Sequence, residues 1–474
     1  MVCYARYYGP DVALVELKDP NPEHFRKAAA MRISGTLIRS AIVAALGGLL
    51  FGFDTAVISG TTDWLKREFL LTDFTLGFTV ASALIGTIIG SIAVGRPADA
   101  IGRRGVLFML AGMFFVSSIG CGLAYRWWVF ILFRFIGGLA VGSASVVSPL
   151  YIAEISPAKY RGRLVAVTQF NIVLGILLAY LSNYIIGTLN LGADECRWMF
   201  GIMVVPSAVF FVLLFGTPHS PRWLIAKGRV AEGREVLQAC GTDAGSVEEE
   251  IREIQNSLDL QHHTLEEPLF QARYRRPILL AVAIAAFNQL SGINVLIYYT
   301  SHIFRMAGYG STDALLQSVI IGFTNLVFTI AAMAVIDQFG RRKLMLVGSV
   351  GYIVSLTAAA YSFYTGTGGK LLLASLIVFI ASHAFGQGAV IWVFIGEVFP
   401  NRVRARGQAL GSFTHWVMAA LISWTFPMIA AQSGGHAFAF YALCCVGQLL
   451  WVIWSMPETK GISLERIQRE LGIE

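Results

Sequence analysis

The residue best placed to do chemistry is an acid set in a greasy segment. An apolar run beginning near Thr36 continues through Gly47-Gly-Leu-Leu-Phe-Gly-Phe-Asp54-Thr-Ala-Val-Ile-Ser-Gly60 and carries Asp54 close to its end. A carboxylate near mid-bilayer costs about 2.5–3.5 kcal/mol unless it is paired or hydrated, so a partner is expected. Arg134 is the candidate, being the one basic residue placed well inside another apolar segment. With a rise of about 1.5 Å per residue, Asp54 lies about 9 Å and Arg134 about 10.5 Å below the outer ends of their helices, depths at which the side chains can meet. Burial favours the neutral acid and a neighbouring guanidinium favours the carboxylate. Two readings follow: a static ion pair holding two helices together, or a carboxyl whose hold on a proton changes as the helices move.

A second group suits ligand binding. Gln169, Asn288, Gln289, Asn294 and Asn325 are amides within otherwise hydrophobic stretches. Each offers a donor and an acceptor in one group. Asn294 and Tyr298, four residues apart, share a helical face. Ser291-Gly292 invites a helix break, a common feature of sites near the membrane midplane.

These residues must be held by membrane-spanning helices. The 474-residue chain is 56% hydrophobic and only 14% charged, against about 25% charged in soluble proteins. Twelve helices are expected at 36–60, 74–95, 105–124, 127–152, 163–187, 197–216, 277–305, 314–337, 343–364, 371–398, 407–431 and 436–456. With both termini inside, the outer loops hold only Lys66, Arg67, Arg126, Arg197, Arg305 and Lys370 of 36 Lys and Arg residues, which satisfies the positive-inside rule. The net charge of +7 is therefore topological, and no basic stripe with interleaved aromatics suggests nucleic acid. The six cysteines lack metal-ligand spacing, and no Gly-Lys-Ser/Thr phosphate loop or nucleophile–base motif occurs, so no metal, no cofactor and no enzyme activity are expected. Val230–Cys240 and Val247–Leu260 are amphipathic and read as a solvated linker with helical content, rather than a latch on the inner face.

The chain repeats itself. Asp99-Ala-Ile-Gly-Arg-Arg104 returns as Asp337-Gln-Phe-Gly-Arg-Arg342, Glu154-Ile-Ser-Pro-Ala-Lys-Tyr-Arg161 as Glu397-Val-Phe-Pro-Asn-Arg-Val-Arg404, and Pro218-His-Ser-Pro221 more loosely as Pro457-Glu-Thr-Lys460. The expected fold is an all-α membrane protein with twelve transmembrane helices in two pseudo-symmetric six-helix bundles, related as parallel repeats. Its segments are 1–35, the bundle 36–216, a cytoplasmic linker 217–276, the bundle 277–456 and a tail 457–474.

With Gly95-Arg-Pro-Ala-Asp99, Pro149-Leu-Tyr-Ile-Ala-Glu154, Ser220-Pro-Arg-Trp223, Gln289-Leu-Ser-Gly-Ile-Asn294, Tyr298-Tyr299, Trp392 with Glu397, and Pro457-Glu-Thr-Lys-Gly461, these signatures resemble the sugar porter family of the major facilitator superfamily from about residue 36 to 465. The resemblance implies a monomeric carrier in the inner membrane that moves a monosaccharide with a proton by alternating access. Facilitative uniport and non-transporting sugar sensing are the alternatives. Symporters of the family carry Asp at the position of Asp54 where uniporters tend to carry Asn, so the resemblance favours proton coupling through Asp54 and Arg134. It implies sugar contacts at Gln169, Gln289, Asn294, Asn325 and Trp392, with Asn288, Gly388 and Trp416 in the same site, and outer closure by Tyr298 and Tyr299.

The chain departs from the family pattern in several places. Gly386-Gln387-Gly388 replaces Gly-Pro-Gly; losing the proline is expected to stiffen that helix, and Gln387 is a further sugar contact. His415 precedes Trp416 where relatives have Asn, and serves either the sugar or ordinary packing, whereas His302 and His383 read as packing residues. His219 replaces a Glu of the inner-face motif, so one contact there is expected to be missing or pH-dependent. Asp99, Arg103, Arg104, Glu154, Arg161, Asp337, Arg341, Arg342, Glu397 and Arg404 are expected to form salt bridges between helix ends that hold the inner side shut in the outward-open state.

Overall fold

The computed structural model describes residues 34–242, 246–263, 267–335, 338–367, 369–400, 402–462 and 464–473. Among them, twelve helical segments are long and apolar enough to cross a membrane: Gly35–Gly60, Asp73–Ala93, Gly102–Gly122, Trp127–Ile155, Tyr160–Thr188, Gly192–Gly216, Ala272–Met306, Ser311–Ala334, Arg341–Thr365, Gly369–Val398, Arg404–Ala430 and Gly434–Trp454. Each overlaps the expected span. Local chemistry sets several starts: the Ser34 hydroxyl accepts from Leu37 N–H, and Thr72 accepts from Thr75 N–H. Such caps satisfy donors that the first helical turn leaves free.

Within the first six spans the closest pairings are first with fifth and second with fourth. Glycine permits this approach. A Cβ at Gly52 would lie 1.9 Å from Ile172 O, and one at Gly138 would lie 1.9 Å from Ala83 O. Between hydrocarbon-solvated helices, backbone proximity of this kind provides the packing that the hydrophobic effect cannot. The last six spans pair ninth with twelfth, ninth with tenth, seventh with eleventh and eighth with tenth. The two sets meet through second against eleventh, fifth against eighth, and first against seventh.

Two spans of the second set are broken where polar side chains cluster. The seventh divides into Arg275–Leu290 and Ile293–Met306 around Gly292 at φ +85°, ψ 12°. This is the break expected at Ser291-Gly292. A side chain at Gly292 would be strained by its φ and would place Cβ 2.7 Å from the Tyr441 ring. Gly292→Ala is therefore expected to lower stability by about 2 kcal/mol, read as a fall in the thermal unfolding midpoint; an unchanged midpoint would refute the close fit. The tenth span divides into Gly369–Phe385 and Gln387–Val398. Gly386 between them has non-helical φ −92°, ψ −105°. The expected stiffening is thus overturned: the break survives without proline. Gly386 packs on Gly348 of the ninth span, where a Cβ would lie 3.0 Å from the Gly348 Cα.

The segment after the sixth span forms helices Pro221–Ala226, Val230–Ala239 and Val247–His263. Ile225, Leu237, Val247 and Ile251 bury one another. Trp223 Nε1 donates to Asp99 O at 3.0 Å, docking the unit on the first set of spans. The helical content expected of this segment is present, and its amphipathic faces pair with each other rather than lying free.

Candidate functional site

The first and fourth spans bring the acid and the base together. Arg134 Nη1 donates to Asp54 Oδ1 at 2.9 Å, and the two side chains are 1% and 3% exposed. Almost full burial matters here, because exposed ion pairs are worth little whereas a buried partner left alone is costly. Arg134 Nε and Nη2 are buried without partners, so the guanidinium is only partly satisfied. Its face stands 5.8 Å from the Phe200 ring centre. A side chain at Gly137 would reach 3.2 Å from Asp54 Oδ1, so glycine leaves room for the carboxylate.

Two of the amides, Asn288 and Gln289, meet at the seventh-span break. Gln289 Nε2 donates to Asn288 Oδ1 at 2.9 Å and lies 3.2 Å from His415 Nε2 of the eleventh span. Gln289 Oε1 is buried and unpartnered, an acceptor held ready. Trp392 of the tenth span is 43% exposed although it sits in a membrane-spanning helix. Its ring lies 5.0 Å from the His415 ring, which lies 4.9 Å from Trp416. Trp416 in turn lies 5.9 Å from Phe51, three residues before Asp54. An aromatic row therefore runs from the amide cluster to the helix that bears the acid. Asn294 is half-buried and Gln169 is exposed on the fifth span. Buried Asn325 accepts from Thr329 Oγ1 at 3.4 Å. At Gly388, a Cβ would lie 3.1 Å from His383 Nε2.

Gln387 is a correction. Its side chain turns away from this cluster and is fully buried, with Nε2 donating to Gln448 Oε1 at 2.5 Å. Gln448 Nε2 donates onward to Ser349 Oγ at 2.8 Å. The helix restarts at Gln387, and its new register points this amide between the ninth and twelfth spans.

The outer side is closed by contacts between the two sets of spans. Asp63 Oδ1 lies 2.7 Å from His302 Nδ1, and Asp63 Oδ2 lies 2.7 Å from Arg305 Nε. Ser301 N donates to Ser59 Oγ at 3.1 Å, Tyr180 Oη donates to Ile297 O at 2.7 Å, and Trp424 Nε1 donates to Phe74 O at 3.2 Å. Sequence reasoning missed Asp63 and Arg305 and read His302 as packing. Tyr298 is buried and faces Thr55 of the first span. Tyr299 instead donates to Ser423 O at 3.0 Å and packs with its ring tilted 4.9 Å from that of Phe426 within the second set.

Burial would raise the Asp63 pKa, but the His302 hydrogen bond and the Arg305 charge outweigh it and hold it below the usual carboxylate range. A carboxyl lowered in the closed state supports closure above its ordinary pKa, and that support is lost as pH falls through the lowered value. Asp63→Ala is expected to shift spin-label distances between the outer ends of the first and seventh spans toward an open population at pH 7. Unaltered distances would exclude the latch.

On the inner side the charges pair within each set. Arg103 bridges Asp99 at 3.1 Å and Glu154 at 3.0 Å. Arg341 pairs with Glu397 at 3.2 Å. Arg104, Arg161 and Arg404 donate to the carbonyls of Phe215, Ser156 and Phe399. Arg342 donates to the carbonyls of Val452 and Ile453. Asp337 lies outside the described residues. The expected pairs between helix ends thus form at Arg103–Glu154 and Arg341–Glu397, and among the described residues no ion pair of this network joins the two sets, an arrangement that fits a state open to the inside. Among them also, no group of three His, Cys, Asp or Glu is placed to hold a metal.

A family model described as "Sugar (and other) transporter" matches residues 40–471. The chain is 36% identical over 464 residues to the D-xylose-proton symporter of Escherichia coli K12, covering 90% of this chain and 94% of that one. It is 36% identical over 470 residues to the glucose transport protein of Synechocystis, covering 94% and 100%. The structure is similar to the inward-open xylose transporter of E. coli, with a TM-score of 0.82 at 35% identity, covering 92% of this chain and 99% of that one.

Proposed function

The chain belongs to the sugar transporter family, and from that premise we propose that it is a secondary active transporter moving a monosaccharide together with a proton by alternating access. It is a multi-pass membrane protein, not an enzyme. The observation that carries the proton is the buried Asp54–Arg134 pair, with its under-satisfied guanidinium. A change in the Asp54–Arg134 separation alters the proton affinity of the acid, because the guanidinium is what favours its charged form.

The sugar's hydroxyls meet Gln289, Asn288, Asn294, Asn325 and Gln169, and its apolar face lies on Trp392. His415 and Trp416 line the same space, and Gly388 leaves it open. The relatives, named for xylose and glucose, support a pentose or hexose as cargo. Two halves, 36–216 and 277–456 joined by 217–276, rock about this site. The contacts at Asp63, Ser59 and Trp424 break to open it outward, and Arg103–Glu154 and Arg341–Glu397 brace each half. The protein acts as a monomer in the inner membrane with both termini cytoplasmic, as its Lys and Arg distribution supports.

The test is uptake of labelled monosaccharides into liposomes by purified protein, with and without an inward proton gradient. Uphill uptake dependent on the gradient is expected. Equilibration alone would reduce the protein to a uniporter, and no movement of any monosaccharide would remove the transport reading.

A further inference from the structure

The two halves differ at one equivalent inner corner. In the second half, Glu458 accepts the backbone N–H groups of Arg341 at 2.8 Å and Arg342 at 3.2 Å, while the Arg342 side chain donates to carbonyls at the end of the twelfth span. In the first half the arginine recurs: Arg104 Nη2 donates to Phe215 O at 3.2 Å, at the end of the sixth span. Arg39 adds a second guanidinium, donating to Gly216 O, the next carbonyl. The carboxylate does not recur, because His219 occupies the place of Glu458.

The corner is therefore short of negative charge. Among the described residues, neither Arg39 nor Arg104 has a carboxylate within ion-pair distance. Arg104 Nε and His219 Nδ1 are buried without partners. The nearby acid Glu232 is already committed to Arg229, at 2.5 Å. The His219 ring stacks 5.3 Å from Trp223, and burial together with the Arg104 and Arg229 charges holds its pKa below the ordinary histidine value. Beside these cations stands an apolar shelf. Phe108, Phe211 and Phe215 contact one another edge to face, and Phe211 and Phe215 are exposed where acyl chains would run.

We propose that this corner, formed by Arg39, Arg104 and His219 at the inner ends of the first, third and sixth spans, binds the phosphate of an anionic phospholipid. The lipid supplies the charge that Glu458 supplies in the other half. Basic pockets between helices on the cytoplasmic side suit such headgroups, and guanidinium pairs suit phosphate oxygens. The phenylalanine shelf favours a lipid over a soluble phosphate.

The test uses the full chain in nanodiscs of phosphatidylcholine doped with phosphatidylglycerol, with retained lipid counted by native mass spectrometry. Wild type is expected to retain phosphatidylglycerol in preference to phosphatidylcholine. Arg39→Gln with Arg104→Gln should weaken that preference about thirtyfold, the combined worth of two cations beside an anionic surface. Arg39→Lys with Arg104→Lys should keep most of it. His219→Glu, which copies the other half and so is compatible with folding, should displace the lipid to a similar extent. Equal retention of both lipids by wild type, or unchanged preference in His219→Glu, would overturn the site. Displacement of the lipid by millimolar inorganic phosphate at constant ionic strength would overturn its assignment to lipid.

Discussion

With Asp54→Asn, reconstituted protein is expected to exchange sugar across the membrane at near wild-type rates and to accumulate none. Asparagine nearly matches aspartate in shape, so the contact with Arg134 Nη1, 2.9 Å long in the wild type, can still be made. What is lost is the site that alternates between charged and neutral forms. A proton moved with each sugar would carry one charge, and 100 mV is worth about 2.3 kcal/mol, or about 50-fold accumulation. A pH difference of one unit adds about tenfold. The variant should lose both factors, so the measured ratio of inside to outside sugar should fall to one while counterflow persists. Continued uphill uptake would mean that the proton travels elsewhere. Loss of counterflow as well would mean that the pair is structural.

Gln289→Leu should produce the largest loss of sugar binding. Gln289 is the hub of the cluster, donating to Asn288 and reaching His415 while holding a free buried acceptor. Leucine preserves volume but leaves Asn288 and the sugar hydroxyls without their partner in a dry place. Leaving such a group unpaired costs about 1–3 kcal/mol, so affinity should fall about 5- to 150-fold by isothermal titration or sugar-induced fluorescence quenching. Asn325→Leu, on the eighth span and already bonded to Thr329, should fall less. Equal losses would place the hub elsewhere.

The positions of the membrane spans follow from hydrophobic length and glycine content alone, because a bilayer imposes a length and demands internal hydrogen bonds whatever the neighbours are. The partnership of Asp54 and Arg134 was also legible, since two charges that expensive leave few ways to be tolerated. The break at Gly292 was readable because only glycine sits easily at φ +85°.

Other features needed the tertiary structure. Asp63 and His302 are 239 residues apart, and nothing near either in the chain points to the other until the first and seventh spans cross. The direction of Gln387 depends on where the tenth helix restarts after Gly386, and a change of register turns the amide from the cluster to Gln448. The closed outer face and the inner pairs confined to each half are also tertiary facts, for one sequence must support both faces of the cycle within a few kcal/mol. Sequence therefore determined which residues must be satisfied in lipid, and packing decided which partner satisfies them in this state.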